Sequence, residues 1–495
     1  MKKLAKQSLL TTISSYLGVL IGYFNVLWLM PYAMDPEQIG IFRTIQDMAL
    51  LFVPFAQLGL GNGITRFYPK VKSEQFSFFT LSLLLTLLGF ILVAILFFVF
   101  KETIISAFAV NSPEVVDFFG VVLFITLFSV LNTILDSFCR SFIKVAVPAF
   151  FREVILRLLV SILVGTYFLR FITFDHMMWG LALVYFISLM GMILYMVRIK
   201  VFKLKFKFKS FPAGFKTEFI KYSLITLLGT TGAILIMKID SLMVSSMIGL
   251  DANAIYTIAF SVAVVIEMPR RAISQVVMPL VSEYFEKMEL DKVGKLYKDV
   301  AVHQLLLCTL IFLGVWANID NLYHFIPNNE LYRTGKWVVL WIGLGKLSDV
   351  LFSINGEIIV FSRYYLFNIT ATLLMSIAVI VLNLFLIPIF GIEGAAVASF
   401  LAMFFYNLIK FFYIKWRLGF QPFSLDILKI VILGILIFFA QDWLLKEMEP
   451  GVGDLALRSV LIVLLYLGGT FVFNIAEETR ASFLTFLKKI KRSES

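Results

Sequence analysis

The sequence predicts an all-α, polytopic membrane protein of about fourteen transmembrane helices. Three observations predict it. Apolar residues make up 60% of the 495 residues, charged residues only 15%, and apolar runs of spanning length recur from one end to the other. A membrane helix needs about 20 consecutive apolar residues, so this chain has room for roughly fourteen or fifteen. An ordinary soluble domain is about 25% charged. The low charge here excludes a soluble enzyme, a disordered chain and a nucleic-acid-binding domain. Two Cys and 3 His exclude a disulfide scaffold and argue against a protein-built zinc site. No metal or cofactor is expected.

The first apolar run starts like a signal peptide, because Lys2, Lys3 and Lys6 precede it. It extends to about Met30 without an A-x-A site, so it reads as an uncleaved span over 9–32. Further spans are predicted at 44–65, 77–100, 115–138, 145–169, 177–197, 219–246, 254–279, 300–319, 336–359, 365–388, 392–414, 425–445 and 456–475. Two of these are the least apolar. Span 254–279 holds Glu267, Arg270 and Arg271, and span 336–359 holds Lys346, Asp349 and Glu357. The three histidines, His176, His303 and His324, fall near predicted helix ends, and Cys139 and Cys308 read as packing residues.

The loops test this series. With the N-terminus inside, Lys and Arg cluster on the inner side, including Arg198 to Lys221, Lys287 to Lys298, Lys410 to Arg417 and Arg480 to Arg492. The outer side holds Arg43, Lys101, Arg170, Arg333, Lys336, Lys446 and Arg458. An inside excess of about four to one obeys the positive-inside rule and puts both termini in the cytoplasm. The net charge of +11 is therefore topology and needs no nucleic acid. No outer loop exceeds about 17 residues, too few to fold alone.

An internal repeat organises the spans. Lys6-x-Ser8-Leu9-x-Thr11 recurs as Lys221-x-Ser223-Leu224-x-Thr226, and the same offset pairs Ile21 with Ile236, Leu27 with Leu242 and Pro54 with Pro269. Six spans per copy is an even number, so both copies share one orientation. A site is then expected between two parallel six-helix lobes, near mid-membrane. The expected organisation is a lobe at 1–200, a basic cytoplasmic linker at 201–217, a lobe at 218–420, two extra helices at 421–476 and a basic tail at 477–495. In Arg198 to Lys209 basic and apolar residues alternate, a pattern that suits anchoring on anionic lipid or recruiting a diphosphate-bearing lipid. Pro279 to Lys298 reads as an amphipathic helix in the cytoplasmic interface.

Ionisable residues inside spans are costly in hydrocarbon and mark either paired structure or function. Arg43–Asp47, Asp136–Arg140, Glu153–Arg157, Glu267–Arg270/Arg271 and Lys346–Asp349 are three or four residues apart, which puts both charges on one helix face. They read either as self-compensated pairs or as cations held against a wet cavity. Lys238 and Asp240, two apart near mid-span, cannot pair with each other. Asp240 takes the repeat position of Asn25. These polar residues face either a central cleft or a neighbouring helix. The chain lacks a phosphate-loop motif, G-x-S-x-G, H-E-x-x-H and C-x-x-C, so it is not expected to be an enzyme.

Asn383-x-x-x-x-Pro388-x-x-Gly391-Ile392-x-Gly394-Ala395-Ala396-x-Ala398 resembles a signature of the polysaccharide flippases of the multidrug/oligosaccharidyl-lipid/polysaccharide exporter superfamily. Gly59-x-Gly61-x-x-x-x-Arg66-Phe67-Tyr68 and Asp35-Pro36-Glu37-x-x-Gly40-x-Phe42 are similar to two further stretches. The resemblance implies alternating access and movement of an undecaprenyl-diphosphate-linked O-antigen or capsular repeat unit across a bacterial inner membrane. It implies cleft cations meeting the diphosphate, with coupling to a proton or sodium gradient. On this sequence the substrate residues are Asn25, Arg43, Arg66, Arg152, Lys238, Arg270, Arg271 and Lys346, and the ion-coupling residues are Asp47, Asp240, Glu267 and Asp349. The implied partners are the lipid-linked oligosaccharide, membrane lipids and polysaccharide assembly proteins, with the chain itself a monomer. Neutral Asn25 replaces the charged Arg-Asp pair of the lipid II branch, which argues against lipid II as cargo. A cation-coupled multidrug exporter and a membrane-embedded glycan polymerase or ligase are the competing classes. The first usually has twelve spans, and the second needs a larger outer loop.

Overall fold

The computed structural model describes residues 2–444 and 448–475. The basic tail expected at 477–495 and Lys446 lie outside the described residues. No β-strand occurs among those described. The main helices are α1 (Lys2–Phe24), α2 (Pro36–Gln57), α3 (Gln75–Val99), α4 (Phe119–Ser141), α5 (Leu156–Phe168), α6 (Phe174–Arg198), α7 (Phe215–Met247), α8 (Leu250–Val264), α9 (Met268–Glu286), α10 (Leu290–Ala317), α11 (Lys336–Leu351), α12 (Tyr365–Leu418), α13 (Leu425–Leu444) and α14 (Val452–Val472). Among the described residues each predicted span lies mainly on helix, with turns at 58–59 inside 44–65 and at 352–354 inside 336–359. By length and composition, 10 continuous helical segments of the described residues can cross a membrane, and the bent pair Lys336–Leu351 and Asn355–Phe361 makes 11.

Local chemistry explains the breaks. Pro31 lacks an N–H for the preceding turn, and the chain widens into a π-turn over Asn25–Leu29 just before it. The Asp35 N–H donates to Gln38 Oε1, which closes the start of α2, where Pro36 occupies the first turn. The 54 residues of α12 carry two predicted spans, and the break between them is Gly391, with φ 60° and ψ −138°. Only glycine adopts that conformation without strain. Three residues on, a Cβ on Gly394 would stand 2.2 Å from the Leu386 carbonyl oxygen. The small residues of the signature thus make a turn that folds tightly on itself, and Ala395, Ala396 and Ala398 are fully buried behind it.

The chain divides into two compact units, one of residues 1–258 and 372–395, the other of residues 259–371 and 396–495. The core of the first is an aromatic ladder. Phe78 meets Phe138, Phe215 and Phe219 edge to face, and Phe79 meets Phe138 and Phe202 in the same way. Edge-to-face rings pair the positive rim of one with the negative face of the next. Phe202 belongs to the basic segment after α6, which is held to the core also through Val201 and Phe208 and by the Lys205 N–H donating to Thr80 Oγ1 at 2.9 Å. In the second unit, Cys308, Leu313, Val350, Ile430 and Ile462 share a core, and the Tyr466 hydroxyl donates to the Leu306 carbonyl. Both cysteines are buried and unbridged.

Two expectations need correction. Pro279 to Lys298 is not one amphipathic helix: α9 ends at Glu286, and α10 begins at Leu290 after a turn in which Met288 has a left-handed φ of 57°. His303 lies in the middle of α10, because that helix starts well before the apolar run that predicted it.

Substituting Gly391→Ala is expected to cost about 2 kcal/mol through strain at a backbone conformation that only glycine tolerates. A thermal-unfolding shift of purified protein in detergent checks this.

Candidate functional site

In the first unit, α2, α7 and α8 are joined by a chain of buried polar contacts. Thr44 Oγ1 and Ser245 Oγ lie 2.7 Å apart. Asn253 Nδ2 donates to Thr44 Oγ1 at 3.0 Å, and Ser241 Oγ donates to Asn253 Oδ1 at 2.9 Å. In hydrocarbon such bonds replace the missing hydrophobic drive between helices. Further along the same helices, Lys238 Nζ reaches Asp47 Oδ1 at 2.6 Å. The predicted Arg43–Asp47 pair therefore does not form. A neighbouring helix offers Asp47 a cation at shorter reach, and Arg43 turns to Gln46 Oε1 at 3.5 Å with its Nε buried and unpartnered.

Asp240 points elsewhere, as its spacing from Lys238 requires. It is 4% exposed and accepts from the Tyr256 hydroxyl at 3.0 Å and from Asn383 Nδ2 at 2.7 Å. Asn383 opens the signature of α12, which gives that position a physical task. Asn25, the repeat counterpart, is equally buried. Its Nδ2 donates to the Arg157 carbonyl at 3.0 Å, and its Oδ1 accepts from Ser161 Oγ at 2.6 Å. Both residues bond across helices.

Arg152 and Arg66 sit apart from these contacts. Arg152 is half-exposed and bridges Asp136 at 3.1 Å and Glu153 at 3.0 Å. The Asp136–Arg140 and Glu153–Arg157 pairs form as predicted, at 3.1 and 3.3 Å. Arg66 is exposed and lies 4.3 Å over the Tyr222 ring, a cation–π contact.

The second unit holds a denser cluster. Glu267 bonds Arg271 Nε at 2.7 Å and also takes Lys346. Arg270 bonds Asp349 Oδ2 at 3.0 Å, and Asn407 Nδ2 donates to Asp349 Oδ1 at 3.0 Å. The predicted Lys346–Asp349 pair does not form, and Arg270 does not take Glu267. On a helix both members of such a pair share a face, but the adjacent helix supplies the nearer partner. Lys410, read from sequence as an inner-loop cation, is 4% exposed and lies 4.1 Å from the Tyr406 ring within α12. Among the described residues no group of three metal-ligating side chains occurs.

These elements have counterparts in known proteins. The sequence profile described as polysaccharide biosynthesis protein matches residues 4–285. The chain belongs to that family. An uncharacterized membrane protein of Methanocaldococcus jannaschii is 21% identical over 487 residues, covering 94% of this chain and 95% of that one. Among solved structures, the lipid II flippase MurJ in an inward closed conformation superposes with a TM-score of 0.74 at 16% identity, over 94% of this chain and 98% of that one. An inward-facing multidrug exporter of the superfamily gives 0.62 at 12%, over 82% and 94%. A superfamily transporter from Pyrococcus furiosus gives 0.55 at 12%, over 84% and 95%. This member of the polysaccharide biosynthesis family thus has the fold of the multidrug/oligosaccharidyl-lipid/polysaccharide exporter superfamily.

In this family member, sequence reasoning missed Tyr256, Asn253, Asn407 and Lys410. The partners of Tyr256, Asn253 and Asn407 lie on other helices, whereas Lys410 meets Tyr406 one turn away in α12. Buried Asn in a predicted span was the available signal.

Replacing Lys238→Met leaves the Asp47 carboxylate buried without its cation and is expected to cost about 3 kcal/mol. The double replacement of Asp47→Leu with Lys238→Met restores most of that stability. Thermal unfolding of the two variants in detergent checks both outcomes.

Proposed function

We propose that this protein flips an undecaprenyl-diphosphate-linked oligosaccharide repeat unit, of the O-antigen or capsular type, from the cytoplasmic to the outer leaflet of a bacterial inner membrane. The observation that carries this reading is membership in the polysaccharide biosynthesis family over residues 4–285, on a fold shared with a lipid flippase. The reading takes two six-helix lobes in alternating access, which the sequence repeat supports, and both termini in the cytoplasm, which the Lys/Arg asymmetry supports.

The pairs Lys238–Asp47, Arg270–Asp349 and Lys346–Glu267 suit such a cargo. A diphosphate can draw a lysine or arginine from its carboxylate, since both anions accept charge-assisted hydrogen bonds. The released carboxylate is then free to take a proton or sodium ion. Substrate arrival and ion loading become one exchange, which couples a gradient to transport without nucleotide hydrolysis. Asp240 is the fourth carboxylate assigned to coupling in this reading.

A cation-coupled multidrug exporter is the other reading, supported by the likeness to solved exporters. Coverage favours the flippase: the exporter's fold takes in 82% of this chain and the lipid flippase's 94%. The two helices α13 and α14, beyond the twelve usual of exporters, fit that difference.

Lipid extracts of a strain lacking the gene are expected to accumulate a polyprenyl-diphosphate-linked glycan, seen by mass spectrometry. Unchanged lipids with raised drug sensitivity would select the exporter. The stable double variant of Asp47→Leu with Lys238→Met is expected to lose export at normal protein level, and full export would end the assignment of Lys238 to the diphosphate. Asp240→Asn is expected to make flipping insensitive to collapse of the ion gradient. A variant that stays as gradient-dependent as the parent removes Asp240 from coupling.

A further inference from the structure

A cavity of about 650 Å³ opens in the first unit where α1 ends and α5 turns into α6. Tyr32, Tyr167, Phe168, Arg170, Phe171 and His176 line it. The volume is that of a small-molecule site. Aromatic residues are common at the ends of membrane helices; here they share an opening with an arginine and a histidine. Phe171 is 77% exposed and Tyr32 67%, so their faces stand bare toward the opening. Arg170, exposed in the turn after α5, has no carboxylate partner among the described residues.

The backbone that carries these groups is fixed. Arg170 takes a left-handed φ of 60°. Its N–H donates to the Tyr167 carbonyl at 2.9 Å, and the Phe171 N–H donates to the Thr166 carbonyl at 3.1 Å. This closes α5 with a two-bond cap and throws Arg170 and Phe171 to one side. The Tyr167 hydroxyl donates to Gln38 Oε1 at 3.0 Å, tying the site to the start of α2. His176 Nδ1 lies 2.6 Å from Thr173 Oγ1, which orients the ring and leaves Nε2 open. The backbone of the turn is thus already set for a ligand.

We infer that this pocket is a sugar-binding site for an acidic residue of the glycan, at the outer end of the first unit. Bare aromatic faces suit the C–H face of a pyranose ring. The guanidinium fork of Arg170 suits a carboxylate in two parallel hydrogen bonds, and His176 Nε2 suits a ring hydroxyl. The inner–outer asymmetry of Lys and Arg puts the 170 turn outside, where a glycan would emerge after crossing. The inference rests on the flippase reading and names the cargo's chemistry: an acidic sugar.

The test uses the full-length protein in phosphatidylcholine nanodiscs, with glucuronate and glucose as probes and saturation-transfer NMR as readout. Glucuronate is expected to bind about tenfold more tightly than glucose, the worth of one hydrogen-bonded charge. Arg170→Gln is expected to remove that preference, Arg170→Lys to restore part of it, and Phe171→Ala to weaken both sugars. Equal binding of the two sugars, or a preference that survives Arg170→Gln, overturns the assignment. Displacement of glucuronate by phosphatidylglycerol in the disc would mark a lipid phosphate as the occupant and overturn it equally. The readout does not depend on transport. A missing sugar signal with lipid-linked glycan accumulating in the deletion strain defeats the pocket alone, and a sugar signal without accumulation defeats the flippase reading alone.

Discussion

A charge in hydrocarbon is costly unless it meets an opposite charge or hydrogen-bond partners. Most of the buried charges described in this protein meet an opposite charge, Arg43 and Lys410 being met by an amide oxygen and a ring instead. Water is absent at membrane depth, so an unmatched carboxylate or ammonium costs more than packing can return. The chain meets the requirement between helices. Lys238 crosses to Asp47, Arg270 to Asp349 and Lys346 to Glu267. Each bond fixes the register of two helices as firmly as a packed side chain would. The small polar residues around them, Thr44, Ser241, Ser245 and Asn253 in one unit and Asn407 in the other, extend the same rule to hydroxyls and amides.

The same feature bears on function. A buried ion pair adds little net stability, because desolvation offsets the attraction. It is, however, strongly sensitive to loss of one partner. A site made of such pairs can respond to an arriving anion or cation by exchanging partners. In the flippase reading proposed above, exchangeable pairs are a suitable device for binding a charged cargo and then letting it go. Asn383, on the helical stretch that precedes the turn at Gly391, donates to Asp240.

Legibility from the sequence differed sharply between helices and contacts. Span positions were readable because hydropathy is local: each of the fourteen apolar runs needs only its own residues to be excluded from water. The pairs Asp136–Arg140, Glu153–Arg157 and Glu267–Arg271 were readable for the same reason, since a separation of four residues puts both on one face of one helix. The pairing expected of Arg43 with Asp47 and of Lys346 with Asp349 obeyed that rule and still failed. Spacing states what can meet. It does not state what else stands closer.

The sequence by itself determined that this chain is helical and membrane-embedded, that its interior holds ionisable groups, and that Lys238 and Asp240 must seek different partners. All of that follows from composition and from the 3.6-residue period of one helix. The tertiary structure alone decided which partners they take, that Asn383 and Tyr256 serve Asp240, that Lys410 is buried, and that bare rings gather around Arg170. Those contacts join residues separated by as many as 191 positions, and only the packing of whole helices against one another brings such residues within bonding distance.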